Sequence, residues 1–518
     1  MTTRTPAPPT AYRSQLARGG DGFGRLLHAE WTKLRTVRRW SIVLLSAVVV
    51  TIVVSLLSAS GNSVGGGGPD DTAKGPDGTP VADSFRFVHQ PLTGDGTVTV
   101  RVSGIAPGGG AAAPGDRQMQ GAPWAKAGVM VKASLQKGSS YAAVMLTEGR
   151  GVRFQYDFTH DVAGSPARGD APRWLRLTRV GQVLTGYESA DGRTWTKVGS
   201  AELPGLPQTA EIGMFVTSPF GVATDRSFGS TSVEAFPTIA TAHFDSVAVD
   251  GRTDGSLRGE DVGSPPGIEG VSSKENGDDG ANGAYTVSSS GDTAPLVQDM
   301  DLVQQALNGA FAGLIPLAAL GVLFITAEYK KGMIRTTFTA SPRRGRVLAA
   351  KALVLGGTTF AAGVVASVVS FQLGIGSLRD NGFKPPSFPD LSLSDGPVLR
   401  AVLGTAAVLA LVTVFAMALG ALLRSTAAAV TVVIVLLVLP QIVISGLPLG
   451  VAKFILLTTP AAGFAIQQTT ERYPQVESIC NPEDGCYPQG PWTGLAVLAA
   501  YTAVALALAV WQTRRRAA

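Results

Sequence analysis

Between Glu328 and Lys351 the chain reads EYKKGMIRTTFTASPRRGRVLAAK, with Glu328, Lys330, Lys331, Arg335, Arg343 and Arg344 arranged around Met333 and Ile334. Cations interleaved with apolar side chains suit recognition more than bond-making, because apolar contact supplies affinity and charge supplies orientation. Other chemistry is missing. No G-x-x-x-x-G-K-[ST] phosphate loop occurs, so the chain carries no recognisable ATP site of its own. No nucleophile, base and orienting group can be assembled as catalytic residues, which disfavours a polytopic enzyme.

The elements that must hold this stretch are apolar. Hydrophobic runs flank it on both sides, and its cations give it the bias of a loop retained in the cytoplasm. The spacing predicts a short helix over 328–337 continuing out of the preceding run, and Ser341-Pro342 supplies an N-cap and first-turn proline for the next. An ordinary positive-inside loop would carry the same charges.

Only 16% of the residues are charged and 45% are hydrophobic, a balance that points to a membrane. The net charge of +5 sits beside apolar runs and not in a basic stripe with aromatics, which excludes a nucleic-acid partner. Runs at 41–59, 306–327, 347–373, 398–423, 427–445 and 493–511 are each long enough to cross a bilayer, giving six transmembrane helices. A cleaved signal ending at Ser58-Ala59-Ser60 competes for the first run, but the region before it is too long for one. Residues 1–20 read as a disordered cytoplasmic tail, 328–346 as a cytoplasmic loop and 512–518 as a second cytoplasmic tail. Residues 21–40 read as an amphipathic interfacial helix, with Trp31 as an anchor and Lys33 and Arg35 among its interleaved cations. Lys351 is expected to snorkel to the cytoplasmic interface. No charge is expected deep inside a span, which argues against proton-driven transport.

The middle of the chain has a different grammar. Linkers at 60–82 and 252–304 bracket 83–251, where short, partly alternating segments rich in β-branched and aromatic residues predict an extracytoplasmic all-β sandwich. Its expected core is Phe85, Phe87, Trp124, Phe154, Trp174, Leu177, Trp195, Met214, Phe215 and Phe244. Tyr156, Tyr187 and Trp195 have the side chains to stack on a sugar, although strand aromatics more often pack against neighbours. Asp157, His160 and Asp161 are polar loop residues of the kind a metal uses, but no metal site is assigned. The outer loop 446–492 contains an apolar segment, 451–465, that is interrupted by Pro460 and Gly463 and suits a re-entrant element. It also holds Cys480 and Cys486, which suggest a disulfide in an oxidising compartment; two free thiols are the alternative.

The residues from Glu328 to Lys351, with Gly-Met-Ile-Arg-Thr-Thr and Ser-Pro-Arg-Arg, resemble the coupling loop of ABC-transporter permeases of the type-2 export class. Glu30-Trp31-Thr32-Lys33-Leu34-Arg35 resembles the connecting helix before the first span of that family, and Thr459-Pro460-Ala461-Ala462-Gly463 resembles its short outer helices. The resemblance implies a transmembrane permease subunit in a bacterial plasma membrane, docked through this loop on a separate ABC ATPase subunit. ATP and Mg would bind that partner, leaving no cofactor in this chain. With six spans per chain, a homodimer or paired permease is implied. The passage WLRLTRVGQVLTGYESADGRTWTKVG, from Trp174, resembles the concanavalin and laminin-G-like jelly rolls found in many carbohydrate-binding modules; the resemblance speaks for the fold and says little about activity, with an envelope glycan one candidate partner. The alternative function is a membrane-anchored extracytoplasmic glycan-binding or sensing protein without transport, for which one span would suffice.

Overall fold

The computed structural model describes residues 22–63, 72–107, 122, 124–166, 171–227, 230–263, 284–297, 300–330, 332–333, 343–385, 388–476 and 486–515. Helix α1 spans Phe23–Thr36 and α2 Arg38–Ser60, joined through Val37, whose N–H bonds back to Lys33 O. After the β domain come α3 (Leu302–Leu307), α4 (Gly309–Lys330), α5 (Arg344–Asp380), α6 (Gly396–Leu423), α7 (Thr426–Val443), α8 (Leu449–Thr458) and α9 (Pro491–Arg515). Six stretches among the described residues are long and apolar enough to cross a membrane: α2, α3 with α4, α5, α6, α7 and α9. The count rises to seven if α8 and the 3-10 helix Pro460–Gln467, bent by 96° between them, form one more. Proline cannot donate to the helical ladder, and Pro460 starts the second arm of that bend.

Helix α6 is the centre of the bundle, with Val402, Ala406, Val412, Ala416 and Met417 fully buried. Helix α4 packs on α2 so closely that a Cβ on Gly309 would lie 2.0 Å from Thr51 O, so glycine is required there. By contrast α2 shows an outward apolar face, with Ile42, Leu45, Val49, Val53 and Leu57 exposed. One end of the bundle is basic: Arg344 on α5 donates Nη1 to Thr513 O on α9 at 3.2 Å, and Lys33 on α1 reaches Glu328 on α4. At the other end Asn381 Nδ2 donates to Asn62 O at 3.0 Å.

The β domain begins with β1 (Val81–Asp83), β2 (Phe85–Pro107), β3 (Lys126–Lys132), β4 (Tyr141–Thr147), β5 (Gly151–Tyr156) and β6 (His160–Ala163). It continues through β7 (Arg173–Val180), β8 (Val183–Ser189), β9 (Thr196–Glu202), β10 (Thr209–Thr217), β11 (Gly221–Ser227) and β12 (Ser230–Phe236). The last strands are β13 (Ala240–Thr253), β14 (Arg258–Val262), β15 (Tyr285–Ser289) and β16 (Thr293–Pro295). Strand β2 runs as one long strand through Phe85–Pro107. Its first half pairs with β10 and β14 and its second with β7 and β13, so a single strand serves both layers. Between the layers lie Val98, Val129, Val144, Phe154, Leu177 and Met214. Eight of the ten expected core residues are buried, but Trp174 and Trp195 are only half-buried. Strand alternation puts Trp174 and Arg176 on the outer face of β7, where the Arg176 guanidinium packs 3.8 Å from the Trp195 ring centroid.

A second apolar layer covers the opposite face of β3, β4 and β10, joining Phe85, Phe87, Met130, Tyr141, Met145 and Phe215 to Val81 and Phe158. The antiparallel pair of β1 and β16 is pinned onto this face by buried charges. Lys132 Nζ lies 2.7 Å from Asp83 Oδ2, which also accepts from Gly138 N–H at 2.8 Å. Lys126 Nζ lies 2.7 Å from Asp292 Oδ1 and donates to Thr293 O. Segments on either side of the sandwich therefore close one sheet face and bring the chain back toward α3.

Candidate functional site

Helix α1 carries Glu30 on its buried face together with Leu34, while Trp31 and Arg35 are exposed. That face meets the last turn of α4, where Glu328 is buried, and the first turns of α5, where Lys351 is fully buried. Lys351 Nζ lies 2.7 Å from both Glu30 Oε2 and Glu328 Oε1, and 5.1 Å from the Phe324 ring centroid. Lys33 closes the group from the rim, 3.1 Å from Glu30 Oε1 and 3.2 Å from Glu328 Oε1. Two carboxylates thus face two ammonium groups, and the cluster is formally neutral. Burial pulls the Lys33 pKa down, but the two carboxylates outweigh it and hold it above the usual lysine value. Glu328 Oε2 is buried with no hydrogen-bond partner among the described residues.

Lys351 therefore does not snorkel. Its stem does not run out to the interface, because two desolvated carboxylates hold the ammonium inward and replace the hydration it would otherwise seek. It lies in the early turns of α5, so what differs from expectation is the direction its ammonium takes and not its place in the span. Glu30, Lys33 and Glu328 were all singled out from sequence, but their convergence on Lys351 was not. The available signal was charge matching: Lys351 is the one charge between Val347 and Leu378, and Glu30 and Glu328 are single acids beside apolar runs.

Of the remaining loop residues, Lys331, Ile334 and Arg335 lie outside the described residues, and so does the expected Ser341-Pro342 cap. Lys330 ends α4, Met333 is exposed, and Arg343 stands at the N-cap position of α5. At the far end of the bundle Cys480 lies outside the described residues, while Cys486 Sγ is 3.0 Å from Arg472 Nη2.

The β domain does not bring its expected ligand residues together. Tyr156 shares a side of β5 with Phe154, which packs on Gly186 and Gly199 between the layers; its ring stacks on His160 with centroids 4.2 Å apart. Tyr187, the next residue after Gly186, faces the opposite way, as does Trp195 beside Arg176. Asp157, His160 and Asp161 also diverge. Asp157 accepts from Tyr141 N–H, whereas Asp161 takes Arg153 at 2.9 Å and Gln155 at 2.9 Å. No group of three or more metal-ligating side chains occurs among the described residues.

No family model matches the chain, and no curated protein does. Solved structures do. A functionally unknown protein from Saccharomyces cerevisiae is 16% identical, over 35% of this chain and 83% of that one, with a TM-score of 0.22. A GH43 protein from Bacillus licheniformis is 16% identical over 24% of each chain, with a TM-score of 0.18. Scytalido-glutamic peptidase with a peptide-based transition state analog is 10% identical over 42% of this chain and 100% of that one, with a TM-score of 0.24.

Proposed function

We propose that this chain is the membrane-spanning permease subunit of an ATP-driven ABC exporter, coupled through residues 328–346 to a separate ATPase subunit. The observation that carries the reading is the buried cluster of Glu30, Lys33, Glu328 and Lys351, which ties three helices together where that loop leaves α4 and enters α5. A push on the loop cannot displace α4 without moving α1 and α5, because separating them would strand buried charges. The loop's basic and apolar residues supply the docking face, two copies supply the path, and a Cys480–Cys486 disulfide braces the outer loop. The outward apolar face of α2 supports placement in a bilayer.

The glycan-binding alternative gains no support from the geometry, since Tyr156, Tyr187 and Trp195 do not converge and one sheet face is closed by β1 and β16. The test is affinity purification of the tagged protein in mild detergent, with ATPase activity assayed in the eluate. A nucleotide-binding subunit should co-purify with the wild type and be lost from a variant with Met333, Ile334 and Arg335 changed to alanine. An intact, monodisperse protein that retains no ATPase partner would sink the proposal.

A further inference from the structure

At the end of the bundle nearest the β domain, α3, the first turn of α4, the end of α7, the 3-10 helix Pro460–Gln467 and Tyr487 line a cavity of about 250 Å³. Its polar lining is made of amides and one phenol, Gln304, Asn308, Gln441, Gln467 and Tyr487, with no charged side chain among the described lining residues. Phe311 and Phe464 supply aromatic walls, packed edge to face with centroids 6.1 Å apart. Such a lining is costly in an apolar bundle unless its hydrogen-bonding groups are satisfied.

Part of it is satisfied internally. Gln467 donates Nε2 to Thr405 Oγ1 at 3.0 Å, and Gln441 donates Nε2 to the Tyr487 hydroxyl at 2.8 Å. As the acceptor there, the Tyr487 hydroxyl keeps its own proton to give. Gln304 Oε1 is different: it is buried and has no hydrogen-bond partner among the described residues. Gln304 itself lines the cavity, and a turn of its amide about the last side-chain torsion would bring this unpaired carbonyl to a donor bound there.

We propose that this cavity binds an uncharged, hydroxyl-rich group about the size of one sugar unit. Hydroxyls both donate and accept, which matches amides that offer a carbonyl oxygen and an NH2, and ring faces pack on aromatic side chains. A phosphate or carboxylate would find no cation among the described lining residues to offset its desolvation. The same chemistry could arrive as a glycolipid headgroup or as a free sugar. The inference does not rest on the exporter reading, because binding requires neither nucleotide nor an ATPase partner.

The test uses full-length protein in phosphatidylcholine nanodiscs. Monoglucosyldiacylglycerol or phosphatidylglycerol is added to separate preparations, with retained lipid read by native mass spectrometry, and free glucose is titrated into a third by saturation-transfer NMR. The glucosyl group should be retained in preference to phosphatidylglycerol, and Gln304→Leu should weaken its binding roughly tenfold or more, as expected when a buried hydrogen bond is lost. Binding of glucose alone would identify a soluble source, and binding of only the glucolipid a membrane source. Where Gln304→Leu is not monodisperse, Gln441→Ala on α7 carries the test. Retention of phosphatidylglycerol equal to that of the glucolipid without a glucose signal, or unchanged binding in a folded variant, overturns the proposal.

Discussion

At the scale of single residues, the cluster around Lys351 makes a prediction that a loose surface ion pair would not. Losing one member of a buried charge set is costly because its partners remain buried and uncompensated, by about 3–5 kcal/mol. Lys351→Met should therefore lower the thermal midpoint of the purified protein sharply. Removing the three buried members together is much less harmful, since the only charge left is Lys33 on the solvent-exposed rim. A triple variant, Glu30→Gln, Glu328→Gln and Lys351→Met, should recover much of the lost stability and, under the proposed exporter function, show weaker coupling to an ATPase subunit, because the electrostatic tie between α1, α4 and α5 is gone. A triple variant no more stable than Lys351→Met, measured by thermal unfolding in detergent, would show that the charges are not acting as one unit.

At the scale of elements, the turn between β8 and β9 gives a pH-dependent case. Asp191 accepts from the backbone N–H groups of Arg193 at 2.9 Å and Thr194 at 2.8 Å and from the Ser189 hydroxyl, and those bonds hold its pKa well below the usual carboxylate range. A depressed folded-state pKa stabilises above the unfolded value and loses that contribution as pH falls through the folded one. The midpoint difference between wild type and Asp191→Ala should thus be largest near neutrality and shrink in acid below the ordinary aspartate value of 3.8. A gap independent of pH would assign it to chain stiffness instead. This turn is set locally: Ala190-Asp191-Gly192 places a residue tolerant of positive φ where the backbone needs one, and Gly192 has φ +71°. The apolar runs were legible for a similarly local reason, because composition over some twenty residues is enough. Other features depended on distant neighbours. Pro91 and Gly94 look like a break between strands, but pairing on both sides carries β2 through them. Trp195 looks like core until Arg176 offers it a cover on the outer face. Lys351 and Glu30 lie 321 residues apart, and no period or motif connects them.

At the scale of the whole molecule, the two ends of the bundle differ in charge and in what they hold. Lys33, Arg35, Arg343, Arg344, Arg424, Arg514 and Arg515 lie at or next to helix ends, and contacts between α1 and α4 and between α5 and α9 gather those ends together. At the opposite end the β domain is fastened down. Asp301, the N-cap of α3, also accepts from the backbone N–H groups of Thr469 and Thr470, which ties α3 to the outer loop, and Gln475 Nε2 on that loop donates to Phe158 O of the β domain at 2.9 Å. A bilayer that retains positive charge on its cytoplasmic side would orient this molecule with α1 inside and the sandwich outside. In a background with Cys480 and Cys486 changed to serine, a cysteine placed at Arg193 in the exposed β8–β9 turn should react with a membrane-impermeant maleimide on intact cells. A cysteine at Arg25 on α1 should react only after the membrane is opened. Labelling of Arg25→Cys on intact cells, or protection of Arg193→Cys until lysis, would invert the topology and overturn the proposed cytoplasmic docking of residues 328–346.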